Sequence, residues 1–506
     1  MKYWPSKAPL LLALVLVLTA CSAGLQPVVA PVEMTPEPSQ ASEWQELEAV
    51  RQGDWFHLLN AGGEALDWRL RAIDSAVSSI DMQTFIWDLD SSGAAIKEHL
   101  LAAARRGVVV KVLVDDSLVL DADQELLDID QHASIALKVF NPFKRRSNQA
   151  VLREVLNLGE FHRLDHRMHN KVMVIDNRVA VLGGRNLADH YFGFSESDNF
   201  RDMEIVVGGP VVQQLADGFD RYWNNGWSFP VAVAIEQRAA MDSAPAPPLA
   251  DLAPPGAHQE QHPQDRIAAW LELVQGAHAG SARLLLDSPP ADDLTAPEQA
   301  PTELGEQLIL EIDAATREVW LISAYLIPTP ELEHAIQRAR ERGVRVRILT
   351  NSINSNNHLL AHSAYRNHAR SLVEMGAEVH EVRFDALDRD LYIESPVAEK
   401  SLSLHAKMIV FDNDRVFVGS ANLDPRSLHI NTEMGLIIHS ATFNAEVREA
   451  FEPDFSLRNA WRLELNSEQQ MTWVSDSETL SRQPAHSFMR RIEDWFLSLL
   501  PIEGEM

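Results

Sequence analysis

The 506-residue chain is 46% apolar and 23% charged, the proportions of a globular protein long enough for two or three cores. Its charge is lopsided: 44 lysines and arginines against 73 aspartates and glutamates leave a net −29. That balance argues against nucleic-acid binding through the phosphate backbone, which needs a basic face, unless a basic cleft sits inside an acidic shell.

The chain opens with Lys2 and Lys7, a short apolar run over residues 10–18, and Leu-Thr-Ala-Cys at 18–21. The run is too short to span a bilayer and suits the core of a secretion signal. Cys21 is the only cysteine, so it has no disulfide partner. Residues 18–21 resemble the bacterial lipobox, in which the cysteine becomes the lipidated first residue; the alternative is a plain secretory signal containing a cysteine. With Ser22 next, the resemblance implies a lipid-anchored protein of the bacterial cell envelope, on the periplasmic face. In a diderm bacterium the anchor would lie in the outer membrane. Residues 1–20 are then a leader and 21–45, rich in Pro, Glu, Ser and Ala, a flexible tether.

Two similar halves follow, 46–236 and 265–506, separated by a Pro-rich linker at 237–264. In each, a helix runs into a strand (residues 66–87 and 308–325), and a second helix ends at a glycine before a Val/Ile/Leu strand. Gly107 and Gly343, where those helices stop, lie 236 positions apart (343 − 107). Helices alternating with short buried strands predict an α/β fold in each half. A Pro/Asp/Glu-rich stretch at 287–303 reads as an exposed loop.

The strongest signal is a duplicated polar motif. Residues 169–186 read H-N-K-V-M-V-I-D-N-R-V-A-V-L-G-G-R-N, and residues 405–422 read H-A-K-M-I-V-F-D-N-D-R-V-F-V-G-S-A-N. Both fit H-x-K-x4-D-x6-G-[GS]-x-N, again 236 positions apart (405 − 169). A lone H-x-K is ordinarily a core histidine beside a solvated lysine; two full matches at the repeat offset are not. The motifs predict strands over 168–175 and 404–411, on which i and i+2 project together, so His169 joins Lys171 and His405 joins Lys407. The glycines let a ligand approach the backbone beside Asn186 and Asn422. Two ammonium groups and two amides can stabilise a five-coordinate phosphorus without a metal. One imidazole can attack phosphorus while the other protonates the leaving oxygen and then activates the acceptor. The motifs therefore predict phosphoryl transfer on a phosphodiester, with no cofactor and no metal.

These segments resemble the paired HKD motifs of the phospholipase D superfamily, from about residue 50 to the C-terminus. F-N-P-F at 140–143, G-G-R-N-L-A-D-H-Y-F at 183–192, F-R-D-M-E at 200–204, F-D-R-Y-W-N at 219–224 and G-S-A-N-L-D-P-R-S at 419–427 resemble the cardiolipin synthase C-like branch of bacterial enzymes. The resemblance implies two phospholipase D-like halves packed as a pseudo-twofold pair around one shared active site, so that no partner chain is needed to complete it. It also implies phosphatidyl transfer from one phospholipid to the glycerol headgroup of another, giving cardiolipin. Each histidine is implied to pair with a downstream carboxylate, at Asp202 and Glu433. His169 is expected as nucleophile and His405 as acid/base. Asp176 and Asp412 complete the motifs and are expected to hold the strand-to-turn geometry.

The alternatives are a phospholipase D using water as acceptor to give phosphatidic acid, a phosphodiesterase or nuclease, and a non-enzymatic scaffold on the same fold. The −29 charge and the lipobox count against nucleic acid. His358 and His362 have i, i+4 spacing, but nothing nearby completes a zinc set, so a solvated helix face or a headgroup-contacting loop is expected. An apolar stripe at Phe488, Ile492, Trp495, Phe496 and Leu499 is expected to pack against the body rather than lie in a membrane interface.

Overall fold

The computed structural model describes residues 27–117, 123–144, 157, 160–236, 263–290, 303–393, 400–500 and 504. The leader, Cys21 and the start of the tether lie outside the described residues, as does the linker over 237–262.

Short runs of Val, Ile and Leu form the strands because branched side chains pack well on a pleated, fully buried surface. In the first half these are β1 (Asp54–Leu59), β2 (Ser79–Thr84), β3 (Val109–Asp115), β4 (Ile135–Phe140), β5 (Val172–Ile175), β6 (Val179–Gly183), β7 (Asp198–Arg201), β8 (Glu204–Gly208) and β9 (Ser228–Pro230). β10 (His278–Leu286) starts the second set, followed by β11 (Glu318–Ser323), β12 (Arg345–Asn351), β13 (Glu378–Val382), β14 (Ser401–Leu404), β15 (Lys407–Phe411), β16 (Arg415–Gly419) and β17 (Met434–His439). The C-terminal strands are β18 (Ala460–Leu465), β19 (Met471–Val474) and β20 (Thr479–Leu480).

β2, β3 and β4 run parallel, with β5 antiparallel on the other edge of β2. The second half repeats this with β11, β12 and β13 parallel and β15 antiparallel to β11. β1 and β10 pair antiparallel and join the two sheets edge to edge (Trp55 opposite Ala279). The two-half α/β architecture expected from the repeat is the one observed. Gly107 (φ +94°) and Gly343 (φ +82°) end their helices in the left-handed region, which a side chain would strain.

Alternation along β5 and β15 explains why the halves stay together. Met173 and Ile175 face a helix-covered core, as do Ile409 and Phe411 on β15. Val172, Val174, Met408 and Val410 instead join one apolar cluster shared by both halves, with Ala180, Leu182, Val416 and Val418. A strand buried on both faces needs apolar residues at both parities, which is why these segments read as continuous hydrophobic runs. β7 and β14, one from each half, form a separate parallel pair.

Two segments sit differently from their sequence reading. Residues 28–39, read as free tether, are strapped along the first half: Val28 N–H donates to Gly226 O (2.7 Å), Thr35 N–H and Oγ1 to Asp220, and Ser39 N–H to Asp176 O (3.0 Å). Proline-rich chain has little conformational freedom to lose, so a few such bonds hold it. The helix Pro263–Gly276, placed near the head of the second half, buries Trp270, Leu273 and Val274 in the core of the first. Trp270 meets Trp44 and Trp68 edge-on at 5.8 and 5.1 Å.

Candidate active site

The first motif strand begins four residues later than predicted, at Val172, because residues 168–170 leave the sheet to bond the other half. His169 N–H donates to Thr432 O (2.9 Å), and Met168 forms an isolated bridge to Thr432. Likewise His405 N–H donates to Arg201 O (2.8 Å). The C-terminal ends of the parallel strands surround both rings, the usual place for a ligand in such sheets. Asp115, at the end of β3, accepts Met168 N–H (3.0 Å), and Phe85, just past β2, lies edge-on to His169 at 4.9 Å. Asn351, at the end of β12, clamps both backbone groups of Leu404 (2.8 Å each).

The carboxylates pair across the halves. His169 Nδ1 lies 2.9 and 3.0 Å from the two oxygens of Glu433, which belongs to the second half. His405 Nδ1 lies 2.5 Å from Asp202 Oδ2, which belongs to the first. The downstream carboxylates are the expected residues, but each serves the other half's histidine. Each pairing brings motif residues of both halves into one site, and the histidines keep only 8% and 6% of their surface exposed.

Lys171 Nζ donates to His169 O (2.7 Å) and Lys407 Nζ to His405 O (2.5 Å), so each lysine is anchored by its own motif's histidine backbone. Lys407 Nζ also lies 3.0 Å from His405 Nδ1. Asn186 Oδ1 accepts Ile86 N–H (3.2 Å), leaving its amide N–H2 to turn elsewhere. Asn422 Oδ1 is buried with no hydrogen-bonding partner among the described residues. A Cβ at Gly184 would meet Asp202 Oδ1 at 2.2 Å, so only glycine leaves that carboxylate its place.

Burial dominates the electrostatics. It lowers His169, opposed by Glu433 and reinforced by Lys171. It holds His405 well below the usual histidine value, with Lys407, Lys171 and His169 adding repulsion. It lowers Lys171 to about 7 and Lys407 to about 8, although Glu433 and Asp202 pull both upward. Burial pushes Glu433 up, but His169 and Lys171 outweigh it and hold the group below its ordinary value. Burial raises Asp202 against the pull of Lys407 and Arg185. Neutral His169 beside anionic Glu433 has Nδ1–H donating to the carboxylate and Nε2 carrying the lone pair.

A pH profile follows from these directions. His169 stays neutral down to below pH 6.5 while His405 is largely neutral in the free site above it, so kcat/KM on a soluble short-chain substrate is expected to rise as pH falls toward 6.5. It should fall as pH rises through about 7 to 8, where the free site's lysines lose charge. A rate that climbs through pH 8 would contradict the assignment.

Asp176 and Asp412 are not with the histidines. They close the far ends of β5 and β15, seven positions along the chain from each histidine (176 − 169 and 412 − 405), a reach of up to about 23 Å. Asp176 accepts Val77 N–H (2.8 Å), Ser78 N–H (2.7 Å), Ser78 Oγ (2.8 Å), Ser79 N–H (2.8 Å) and Trp44 Nε1 (2.7 Å). Asp412 does the same with the amides of Thr316, Arg317 and Glu318. Both pin the turn that leads into a central parallel strand. Asp176→Ala should therefore cost stability, about 3 kcal/mol or more by denaturant unfolding, with kcat of the folded fraction within about threefold of the parent.

Several residues around the site escaped the sequence reading. Ser420 Oγ donates to Glu433 Oε2 (2.5 Å), and Asp287 Oδ2 accepts Glu433 N–H (3.0 Å). Asp287 opens the stretch read as an exposed loop, yet it is buried and pushed up to about 7 by that burial. The G-S variant of the motif was the available sign for Ser420; Asp287 had none, being adjacent only in the fold. Tyr191 and Phe200 each lie 5.0 Å from the His405 ring. His362 is not on a solvated face: it is fully buried, because its Nδ1 pairs with Asp494 at 2.7 Å on the helix docked against it.

The sequence model for "Cardiolipin synthase, PLD-like domain" matches this chain twice, at residues 70–223 and 308–455. Cardiolipin synthase C of Escherichia coli (strain K12) is 32% identical over 456 residues, covering 87% of this chain and 93% of that protein. Cardiolipin synthase B of the same strain is 25% identical over 406 residues, 79% of this chain and 80% of that protein. The fold is also that of the phosphatidylserine synthase of Haemophilus influenzae Rd KW20, at a TM-score of 0.58 and 14% identity, over 92% of this chain and 100% of that one. A duplicated match spanning most of both halves, with a relative similar along nearly its whole length, shows that this chain belongs to the cardiolipin synthase, PLD-like domain family.

Proposed function

We propose that this chain, a phospholipase D-type phosphatidyltransferase, forms cardiolipin from phosphatidylglycerol and a second phospholipid at the surface of a bacterial envelope membrane. The observation that supports the reading is the crossed carboxylate pairing, in which His169 meets Glu433 and His405 meets Asp202 across the two halves. Relatedness to cardiolipin synthase C supports the choice of lipid. In this reading the halves at 46–236 and 265–506 act as one catalytic unit. The lipid at Cys21 would keep it on the periplasmic face.

The first step is attack of His169 Nε2 on phosphorus: a P–N bond forms, the P–O bond to the headgroup breaks, and His405 gives the leaving oxygen a proton. Lys171, Lys407, Asn186 and Asn422 take up the charge on the non-bridging oxygens. The phosphodiester's negative charge, arriving between the lysines, offsets the repulsion that keeps His405 neutral in the free site, so His405 takes up a proton from solvent as the substrate binds and has it to donate. In the second step His405 removes a proton from the acceptor's glycerol hydroxyl, which attacks phosphorus as the P–N bond breaks. The test is incubation with phosphatidylglycerol and phosphatidylethanolamine vesicles and identification of products by mass. Cardiolipin is expected; phosphatidic acid alone would mean that water is the acceptor and would sink the proposal.

A further inference from the structure

The C-terminal helix Phe488–Leu497 is docked by the opposite face from the one its sequence suggests. Its single fully buried residue is a carboxylate: Asp494 meets His362 Nδ1 (2.7 Å), Ser363 Oγ (3.1 Å) and Arg366 Nη1 (3.0 Å). Phe488, Trp495, Phe496 and Leu499 point outward, 65%, 52%, 60% and 62% exposed, beside Met489 and Ile492. The stripe expected to pack against the body therefore faces solvent. The physical reason is that a three-partner carboxylate clamp, buried against helix Leu359–Glu374, fixes the rotation of the short helix and leaves its apolar side free. Scattered exposed apolar residues need no explanation; a contiguous set on one helix does.

Its position adds a second observation. Asn354 donates to Pro484 O (2.6 Å) and accepts His486 N–H (3.0 Å), so the segment leading into the helix is tied to the loop after β12. That loop lies at the end of the sheet where Asn351 holds Leu404 beside His405. On the first half the strap runs from Gly226, past the C-terminal end of β4, down to Asp176 at the opposite end. Val28 therefore stands at the same end as the site. Arg491 is tied back to Gln483 O (2.8 Å) and Glu493 is exposed beside the stripe, so the face offers apolar contact rather than a basic rim. Such an apolar face at the site end suits acyl chains.

We propose that the helix Phe488–Leu497, with Leu499 and Leu500, lies in the interface of a phospholipid bilayer and turns the site end of the molecule toward it. This rests on the phospholipid reading above. Such a helix would bind by apolar burial, because a strongly acidic protein gains little from general attraction to an anionic surface.

The test uses the full chain carrying Cys21→Ala, so that no acyl chain contributes, sedimented with vesicles of phosphatidylglycerol and phosphatidylethanolamine. The parent should bind and stay bound as ionic strength rises. Trp495→Glu with Phe496→Glu should lower the vesicle partition about tenfold or more. Val109→Glu, on an exposed valine at the opposite end of β3, should leave partition unchanged. Equal binding by the double variant, equal loss in the Val109 variant, or a parent dimer that the double variant splits in light scattering would each overturn the proposal. Thermal melting checks that the variants are folded. Sedimentation reads binding without turnover, so its failure is separate from a failure to form cardiolipin.

Discussion

His169→Ala is expected to lower phosphatidyl transfer by about 10⁴-fold or more, a loss of about 5 kcal/mol of transition-state stabilisation. The alanine removes the atom proposed to bond phosphorus, and neither lysine can replace it, since both are held by backbone carbonyls. His405→Ala should reduce overall turnover comparably but by a different step. With His169 intact and the acceptor's base missing, a substrate with a good leaving group should leave a phosphatidyl group on His169. Mass spectrometry of acid-labile, base-stable modified peptides reads this directly. Modification of residue 405 in a His169→Ala protein would reverse the two roles, and steady turnover in both variants would overturn the mechanism.

Glu433→Gln should lower kcat by about 10³-fold through the same histidine, although the residue lies in the other half. In the native site Glu433 is held anionic by His169 and Lys171 and is fixed by Ser420 and Asp287. A glutamine there can offer an N–H to Nδ1, which moves the imidazole proton to Nε2 and removes the attacking lone pair. Asp202→Asn should act instead on His405, the ring whose Nδ1 it faces at 2.5 Å. Single-turnover kinetics separate the two: Glu433→Gln slows formation of the phosphatidyl-enzyme, whereas Asp202→Asn slows proton delivery and acceptor activation. If the effects are exchanged, each carboxylate acts within its own half and the crossed pairing is not the working arrangement.

The repeat made the two-half α/β fold and the two histidine–lysine–asparagine sets readable without coordinates. Those features are local: buried strands need apolar residues at both parities, helix ends need a residue that tolerates positive φ, and a duplicated motif repeats at one offset. Asp202 and Glu433 were also identifiable as residues, by resemblance. Which histidine each one serves was not, because that depends on how one half faces the other across the shared cluster around Val172, Val174, Met408 and Val410. Asp287 shows the same limit, since its contact with Glu433 is made by chain segments far apart in sequence. The C-terminal helix shows it most clearly. Its periodicity defined an apolar face, but one buried carboxylate, Asp494, clamped by His362, Ser363 and Arg366, decided which way that face points. Periodicity sets the faces of an element, and only its tertiary partners set its rotation.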